Sequence, residues 1–428
     1  MDYVKNEVKL RRELHQIPEL GWGEFCTTAK ILETIEPLGW KTYAGVEQVG
    51  LDAVMGRPED FVEKSKQRAL EEGVDPKLIE RMHGYTGTIA ELDTGKPGPV
   101  TGLRFDIDCV GVEETDLKDH LPNKENFRSR HAGVMHSCGH DGHTAVGLTM
   151  AQWIVDHKDQ LCGKIKLIFQ PAEEGVRGAH AIVENGWLDD ADALLASHVA
   201  PTGKADDGDV TVGTWGSLAT TKYDVAFTGR AAHAGGFPEQ GKNALLAAAS
   251  AALALHAIPR HGGGQSFINV GTLRAGSGRN VVPDYALMQL EVRGETTEIN
   301  QFMMKRTEEI CRGAAAMQGC ACEMTVMGMA EGQHSDGPLI ERMGRVIRRD
   351  LPNLTLSTEQ NAKNWGSDDV SVMMNRVQAH GGQATYMRAM TDMAGAQHTV
   401  TFDFDEAVLG RSVAVFCAAA MDLMRGEA

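Results

Sequence analysis

Residues 100–108 read V-T-G-L-R-F-D-I-D, a short strand-like run that closes on two carboxylates. A helix is predicted from Thr144 to His157, and a second strand follows in K-I-K-L-I-F, from Lys164 to Phe169. Strands that alternate with helices are typical of a mostly parallel sheet with helices on both faces. The chain is therefore predicted to be an α/β protein whose main domain is built on such a sheet.

The pattern changes near Leu218. T-T-K-Y-D-V-A-F-T-G alternates as a strand does, an alanine-rich helix and two further strands follow, and a second helix is predicted from about Glu298 to Met317. The order β-α-β-β-α-β is that of a ferredoxin-like α+β layer. Since 428 residues exceed what one core usually serves, we predict a main domain in two parts, 1–217 and 332–428, around an inserted domain at 218–331. A helical insertion is predicted at about 57–98.

The segment M-H-S-C-G-H-D-G-H-T-A, from Met135 to Ala145, is rich in metal-binding side chains. Thiolate and imidazole are good donors for transition metals, and Cys138 and His140 would lie on the same side of an extended segment. The alternative is a buried cysteine that acts as a small apolar residue. The segment is consistent with one metal ion, or with two that share a ligand.

Other candidate ligands follow predicted apolar segments. Glu173 and Glu174 follow K-I-K-L-I-F, His198 ends A-D-A-L-L-A-S-H, and His398 opens H-T-V-T-F. Taken singly, the glutamates are also consistent with a solvated acidic turn, and the histidines are more often ordinary core or surface residues. The carboxyl ends of strands in an open α/β sheet converge on one crevice, however, so these residues can assemble there. One cysteine, three histidines and two glutamates suit a hydrolytic metal centre.

The motifs also occur in the order of a known family. R-R-E-L-H-Q-I-P-E-L, G-L-R-F-D-I-D, M-H-S-C-G-H-D-G-H-T-A, I-F-Q-P-A-E-E-G, G-R-A-A-H-A-G, G-R-N-V-V-P and H-T-V-T-F resemble the amidohydrolase branch of the dinuclear metallopeptidases. That superfamily includes the aminoacylases, carboxypeptidase G and the plant hydrolases of indole-acetyl amino acids. The insertion narrows the resemblance to a subgroup that hydrolyses p-aminobenzoyl-glutamate.

The resemblance implies a role for each candidate in the metal centre. Cys138 would bridge two divalent ions, Mn²⁺ or Zn²⁺. His140 and His198 would complete the shell of one ion, while Glu174 and His398 would complete the other. Two further carboxylates would assist: Glu173 as general base, and Asp106 by orienting a ligand or the base.

Three residues of the inserted domain also match the family. His233 would stabilise the oxyanion, in its own site or in a partner's, and Asn280 and Arg293 would hold the substrate α-carboxylate. The alternatives are an ordinary histidine and an arginine that forms an ion pair on a strand surface. By the same resemblance, the inserted domain is a lid that also builds a dimer, either a homodimer or a heterodimer with a homologous second chain.

The implied function is metal-dependent hydrolysis of a small anionic N-acyl amino acid. A broader aminoacylase, hippurate hydrolase or dipeptidase stays open, as does a non-catalytic subunit that supports a homologous partner. The formal net charge of -17 argues against a nucleic-acid or membrane partner, and no apolar run reaches the roughly 18 residues that span a bilayer. Scattered cysteines and the absence of a signal-like start favour the cytoplasm.

Overall fold

The structure is a computed structural model that describes residues 3–203, 208–357, 359–364 and 366–425. The chain divides into two compact units. The first contains the residues up to Trp215, Gln333–Asn364 and the residues from Asp369 onward. The second contains Gly216–Gly332 and a short segment that ends at Asp368.

The helices, in chain order, are α1 (Tyr3–His15), α2 (Phe25–Ile35), α3 (Glu59–Glu71), α4 (Pro76–Met82), α5 (Leu121–Lys124), α6 (His140–His157), α7 (Ala179–Glu184), α8 (Ala244–His256), α9 (Thr297–Met317), α10 (Gly337–Asp350), α11 (Val370–Ala379) and α12 (Ala407–Leu423). The strands are β1 (Lys41–Ala44), β2 (Thr88–Asp93), β3 (Val100–Asp106), β4 (Lys164–Gln170), β5 (Ala193–Pro201), β6 (Val210–Thr211), β7 (Gly213–Ser217), β8 (Ala219–Thr228), β9 (Ser266–Ala275), β10 (Tyr285–Gly294), β11 (Ala321–Ala330), β12 (Gln333–His334), β13 (Asn361–Lys363) and β14 (Gln383–Thr391).

The main sheet of the first unit has the strand order β1-β2-β4-β3-β5-β14-β6. Its four middle strands, β4, β3, β5 and β14, are parallel, while β1, β2 and β6 join in antiparallel fashion. Neighbouring residues of one strand enter different cores: Leu195 packs in the cluster that includes α6 and α12, and Leu194 packs in the cluster that includes α7 and α11. Helices therefore cover both faces, and the predicted α/β architecture is confirmed.

This topology brings the candidate ligands to one edge of the sheet. The carboxyl ends of parallel strands share an edge, and Asp106, Gln170 and Thr391 are the last residues of β3, β4 and β14. Glu173 follows β4 by three residues, and His198 lies near the carboxyl end of β5.

The second unit contains β8-α8-β9-β10-α9-β11 in that order, which is the order predicted from the sequence. Its sheet has the strand order β11-β8-β10-β9 and is antiparallel throughout. Both helices pack on one face, where alternate strand residues such as Val225, Phe227 and Met288 form a core with them. The intervening residues of β8 and β10 lie on the opposite, open face.

The insertion predicted at about 57–98 contains the helices α3 and α4, but its last part is the strand β2, which pairs with β1 and β4 in the main sheet. Its helix α3 ends near Gly73, which has a φ of 92° and so adopts a conformation that favours glycine. None of the helices in the described residues is long and apolar enough to cross a membrane.

Candidate metal centre

Cys138 and His140 are brought together by a bend, not by the extended segment that we predicted. Gly139 between them has a φ of 92°, and His140 is the first residue of α6, four residues earlier than the predicted helix start. A Cβ atom at Gly139 would lie 2.5 Å from Cγ2 of Val199, so both the conformation and the space require glycine.

The first group of donor atoms comprises Cys138, His140 and His198, whose donor atoms all lie within 4.8 Å of one another. Nδ1 of His198 donates a 2.7 Å hydrogen bond to the carbonyl of Val199, and its Nε2 lies 3.5 Å from Sγ of Cys138. Nδ1 of His140 donates to the carbonyl of Asp108 at 3.0 Å. Backbone carbonyls thus engage Nδ1 of both rings and fix their orientation within the group.

The second group comprises Cys138, Glu174 and His398, again with donor atoms within 4.8 Å. Nε2 of His398 lies 3.1 Å from Oε1 of Glu174. The backbone amide of His398 donates a 2.8 Å hydrogen bond to the carbonyl of Ser137, which fixes this distant segment beside Cys138. His398 itself has a φ of 62°, a left-handed conformation that few residues adopt outside glycine. Cys138 is therefore common to both donor groups.

These residues fit divalent metal ions. Nε2 of the buried His140 has no hydrogen-bond partner among the described residues, although carboxylate oxygens of Asp106 and Glu173 lie 3.9 Å away. Such a buried, unsatisfied nitrogen calls for a ligand. Burial raises the pKa of the Cys138 thiol to about 12, so the thiolate form needs a nearby cation. The mixture of sulfur, imidazole and carboxylate donors is one that transition metals accept.

Glu173 lies next to these groups in a tight turn. Ala172 and Gly175 have φ angles of 52° and 88°, so the pair Glu173 and Glu174 is held by a bend. Glu173 is buried, and it forms a further donor group with Asp108 and His140. The turn thus separates the two neighbouring carboxylates: Glu174 faces His398, and Glu173 faces His140.

Asp106 forms a hydrogen bond with the imidazole ring of His143, which lies next to the donor groups. Its Oδ1 accepts a 2.6 Å hydrogen bond from Nδ1 of His143, whose Nε2 accepts from the backbone amide of Val199 at 3.0 Å. Both nitrogens of His143 are thus engaged in hydrogen bonds. Burial alone would raise the pKa of Asp106, but the charge of Arg104 and the neighbouring His140 and His143 hold it well below its usual range.

Two neighbours of the cluster were missed by the sequence analysis. Asp108 is fully buried; its backbone carbonyl holds His140, and its Oδ2 accepts a 2.9 Å hydrogen bond from the amide of Glu174. Nε2 of Gln397 lies 3.8 Å from Sγ of Cys138 and 3.5 Å from Nδ1 of His198. Two features of the sequence could have indicated these residues: Asp108 is the second carboxylate of the D-I-D pattern, and Gln397 directly precedes the candidate ligand His398.

The remaining predicted residues belong to the second unit. His233 and Asn280 are exposed and lie on adjoining segments, because His233 pairs with Val281 and the amide of Ala234 donates to the carbonyl of Asn280 at 3.0 Å. Arg293 lies on β10 and forms an ion pair with Glu291, with Nε 3.1 Å from Oε1. The ion pair foreseen as the alternative for Arg293 is therefore present in the structure.

Known proteins are similar in sequence to this chain over almost its whole length. The profile of peptidase family M20/M25/M40 matches residues 102–422. The indole-3-acetyl-aspartic acid hydrolase of Enterobacter agglomerans is 44% identical over 96% of this chain and 94% of its own length. One of the subunits of the p-aminobenzoyl-glutamate hydrolase of Escherichia coli is 43% identical over 96% of this chain and 94% of its own.

A solved structure agrees with these relatives. The aminobenzoyl-glutamate utilization protein of Klebsiella pneumoniae is 37% identical and superimposes with a TM-score of 0.83, covering 99% of this chain and 97% of that one. The family resemblance found in the motifs is thereby confirmed. This chain belongs to peptidase family M20/M25/M40.

Proposed function

We propose that the protein hydrolyses the amide bond of N-acyl amino acids whose amino acid is acidic, p-aminobenzoyl-glutamate first among them. The observation that carries the proposal is the position of Cys138 in two donor groups, with the buried carboxylate of Glu173 beside them. The choice of substrate is supported by two relatives of similar identity, one named for an aspartate conjugate and the other for a glutamate conjugate.

The proposed centre holds two divalent cations, Mn²⁺ or Zn²⁺, with manganese as our first choice on the family resemblance. Cys138 is the shared ligand, His140 and His198 complete one shell, and Glu174 and His398 complete the other. When bound, such cations polarise a carbonyl group and make water easier to deprotonate. Asp106 is proposed to orient the ligands indirectly: it binds His143, whose ring also accepts a hydrogen bond from the backbone amide of Val199, next to His198.

Glu173 is proposed to move the proton. A carboxylate in this position accepts a proton from the attacking water and returns it to the departing amine nitrogen. The proposal is supported by the burial of Glu173 and by its Oε2, which lies 3.9 Å from Nε2 of His140, while the neighbouring Glu174 pairs with His398.

The second unit is proposed to act as the lid and dimerisation domain. Asn280 and Arg293 are assigned to the substrate α-carboxylate, and His233 to the oxyanion, in its own or a partner's site. The Escherichia coli relative is named as one subunit of its enzyme, which supports a partner, either a second copy of this chain or a homologous second chain.

All eight cysteines are free thiols in the structure, which supports a reducing compartment, and we propose the cytoplasm.

The test is a comparison of substrates on metal-reconstituted protein, with and without a homologous partner chain. We expect p-aminobenzoyl-glutamate and indole-acetyl-aspartate to be hydrolysed with a kcat/KM at least tenfold above that of hippurate and acetyl amino acids. A preference for hippurate would replace the proposal with a broad aminoacylase. Hydrolysis of none of them, despite two bound metal ions, would favour a non-catalytic subunit.

A further inference from the structure

A small cluster of charged residues lies on the open face of the sheet in the second unit. In the register of β8 and β10, Lys222 is directly opposite Glu291, and Arg293 lies two residues along the same strand and on the same face. These three side chains are only partly buried, whereas their neighbours Tyr223, Leu290 and Val292 face the core with the helices.

Both cations converge on one carboxylate. Nζ of Lys222 and Nη2 of Arg293 each lie 3.1 Å from Oε2 of Glu291, so the two nitrogens are within twice that distance of each other. Nη1 of Arg293 lies 3.5 Å from Oγ of Ser367, which is the long limit of a hydrogen bond. The cluster therefore carries two positive charges and one negative charge.

The cluster borders a groove in which a ligand has room. The groove has a volume of about 300 Å³, and its polar lining includes Lys222, Asn269, Gln289 and Glu291. Asp224 also lines the groove and accepts a 3.0 Å hydrogen bond from Nε2 of Gln289. Asn269 is opposite Glu291 in the register of β9 and β10, so an amide and an ammonium group lie on either side of that carboxylate.

Partly exposed ion pairs contribute little net stability, because water solvates both partners well. Lys222 and Arg293 can therefore exchange Glu291 for the carboxylate of a ligand at a small cost in free energy. A protein whose net charge is -17 must attract anionic ligands through local cations such as these. The α- and side-chain carboxylates of aspartate or glutamate, three or four bonds apart, match the close spacing of the two cationic groups.

We propose that Lys222 is a specificity-determining residue, which binds the side-chain carboxylate of an acidic N-acyl amino acid while Arg293 binds its α-carboxylate, with Glu291 holding both cations in place until the ligand arrives. The inference rests on the proposed function and adds the residue that selects acidic over neutral amino acids.

The test compares p-aminobenzoyl-glutamate with p-aminobenzoyl-glutamine, which has the same shape without the second charge. Hydrogen bonds to charged groups are worth about 1.5–3 kcal/mol, so we expect wild-type kcat/KM to favour the glutamate compound by roughly 10- to 100-fold. Lys222→Gln should reduce this preference to about threefold or less, through KM, whereas Lys222→Arg should keep most of it. Lys305→Gln, on the exposed side of α9, is the matched control and should change neither value.

A binding measurement separates this inference from the proposed function. Titrations of both compounds into the Glu173→Gln variant, with and without Lys222→Gln, report selectivity without turnover. If the wild type hydrolyses the glutamate compound and Lys222→Gln still prefers it to the glutamine compound, the proposed role of Lys222 is wrong and the proposed hydrolytic function is retained. If neither compound is hydrolysed but the protein binds the glutamate compound more tightly, and Lys222→Gln removes this difference, the proposed hydrolytic function is wrong and the proposed role of Lys222 is retained. An equal loss for both compounds would mark Lys222 as merely structural.

Discussion

Asp108 holds Glu174 in place through the backbone: its Oδ2 accepts a 2.9 Å hydrogen bond from the amide of Glu174. The same residue accepts a hydrogen bond from Nδ1 of His140 at its carbonyl oxygen, 3.0 Å away, and its Oδ1 lies 3.3 Å from that nitrogen. Glu174 and His140 belong to different donor groups, which share only Cys138. One buried residue therefore sets the relative position of ligands proposed for two different cations: its carboxylate holds Glu174, and its backbone carbonyl is the nearer acceptor for His140.

We expect Asp108→Asn to weaken metal binding by roughly 10- to 100-fold, because residues that orient metal ligands typically have effects of this size. The asparagine side chain has one acceptor oxygen in place of two, so it cannot serve both the amide of Glu174 and Nδ1 of His140. Competition with a chromogenic chelator measures the affinity, and Asp116→Asn, at an exposed position, serves as control. Unchanged affinity in Asp108→Asn would show that the ligands are held by other contacts.

Glu173→Gln is expected to keep the metal content of the wild type and to lose turnover by a factor of about 100 or more, because the amide cannot accept a proton. Metal analysis and initial rates with p-aminobenzoyl-glutamate are the two measurements. The exposed Glu184, changed to glutamine, should retain full activity. Substantial hydrolysis by Glu173→Gln would assign the proton transfer to another group.

Cys138→Ala should remove the sulfur common to both donor groups, so we expect it to retain fewer than two metal ions per chain after gel filtration. Cys109→Ala is a suitable control, since Cys109 is also buried but belongs to neither donor group. Two tightly bound ions in Cys138→Ala would mean that the thiol is not the bridge.

The periodicity of the sequence was sufficient for the architecture. The strands β3 and β4, the helices α8 and α9, and the β-α-β-β-α-β order all follow from alternation, helical spacing and glycine stops, which act locally. The convergence of His198, Glu174 and Cys138 followed from one topological rule about the ends of parallel strands.

The local geometry of the site was not predictable in the same way. Gly139, Ala172 and His398 all have positive φ angles, and for alanine and histidine no sequence pattern announces them. They are stabilised by contacts with distant segments, such as the bond from His398 to Ser137 and the one from Ala172 to Glu24. The alternating T-F-D-F-D likewise forms no strand in the described residues, only an isolated bridge between Met393 and Phe404.

Glu114 is buried beside two histidines, and we expect this arrangement to make the stability of the fold depend on acid. Its Oε1 lies 3.1 Å from Nε2 of His120 and 3.2 Å from Nε2 of His15, and its Oε2 accepts from the amide of Ser129 at 2.7 Å. Burial by itself would raise the pKa of Glu114, but the hydrogen bonds with His120 and His15 outweigh it and lower the pKa to about 2. A carboxyl whose pKa is lower in the folded state stabilises the fold above its unfolded pKa of about 4.5 and loses that effect as the pH falls toward 2.

We therefore expect Glu114→Gln to lower the free energy of unfolding by roughly 3 kcal/mol near pH 5, with the difference from wild type narrowing as the pH falls toward 2. Urea titrations of chelated, metal-free protein measure this, so that acid release of cations does not contribute. Glu113→Gln is the matched control, because the Glu113 side chain is 61% exposed and should have a small effect at every pH. A difference that stayed constant from pH 5 to 2 would show that Glu114 acts by packing and not by its charge, since only the ionised form gains from His15 and His120.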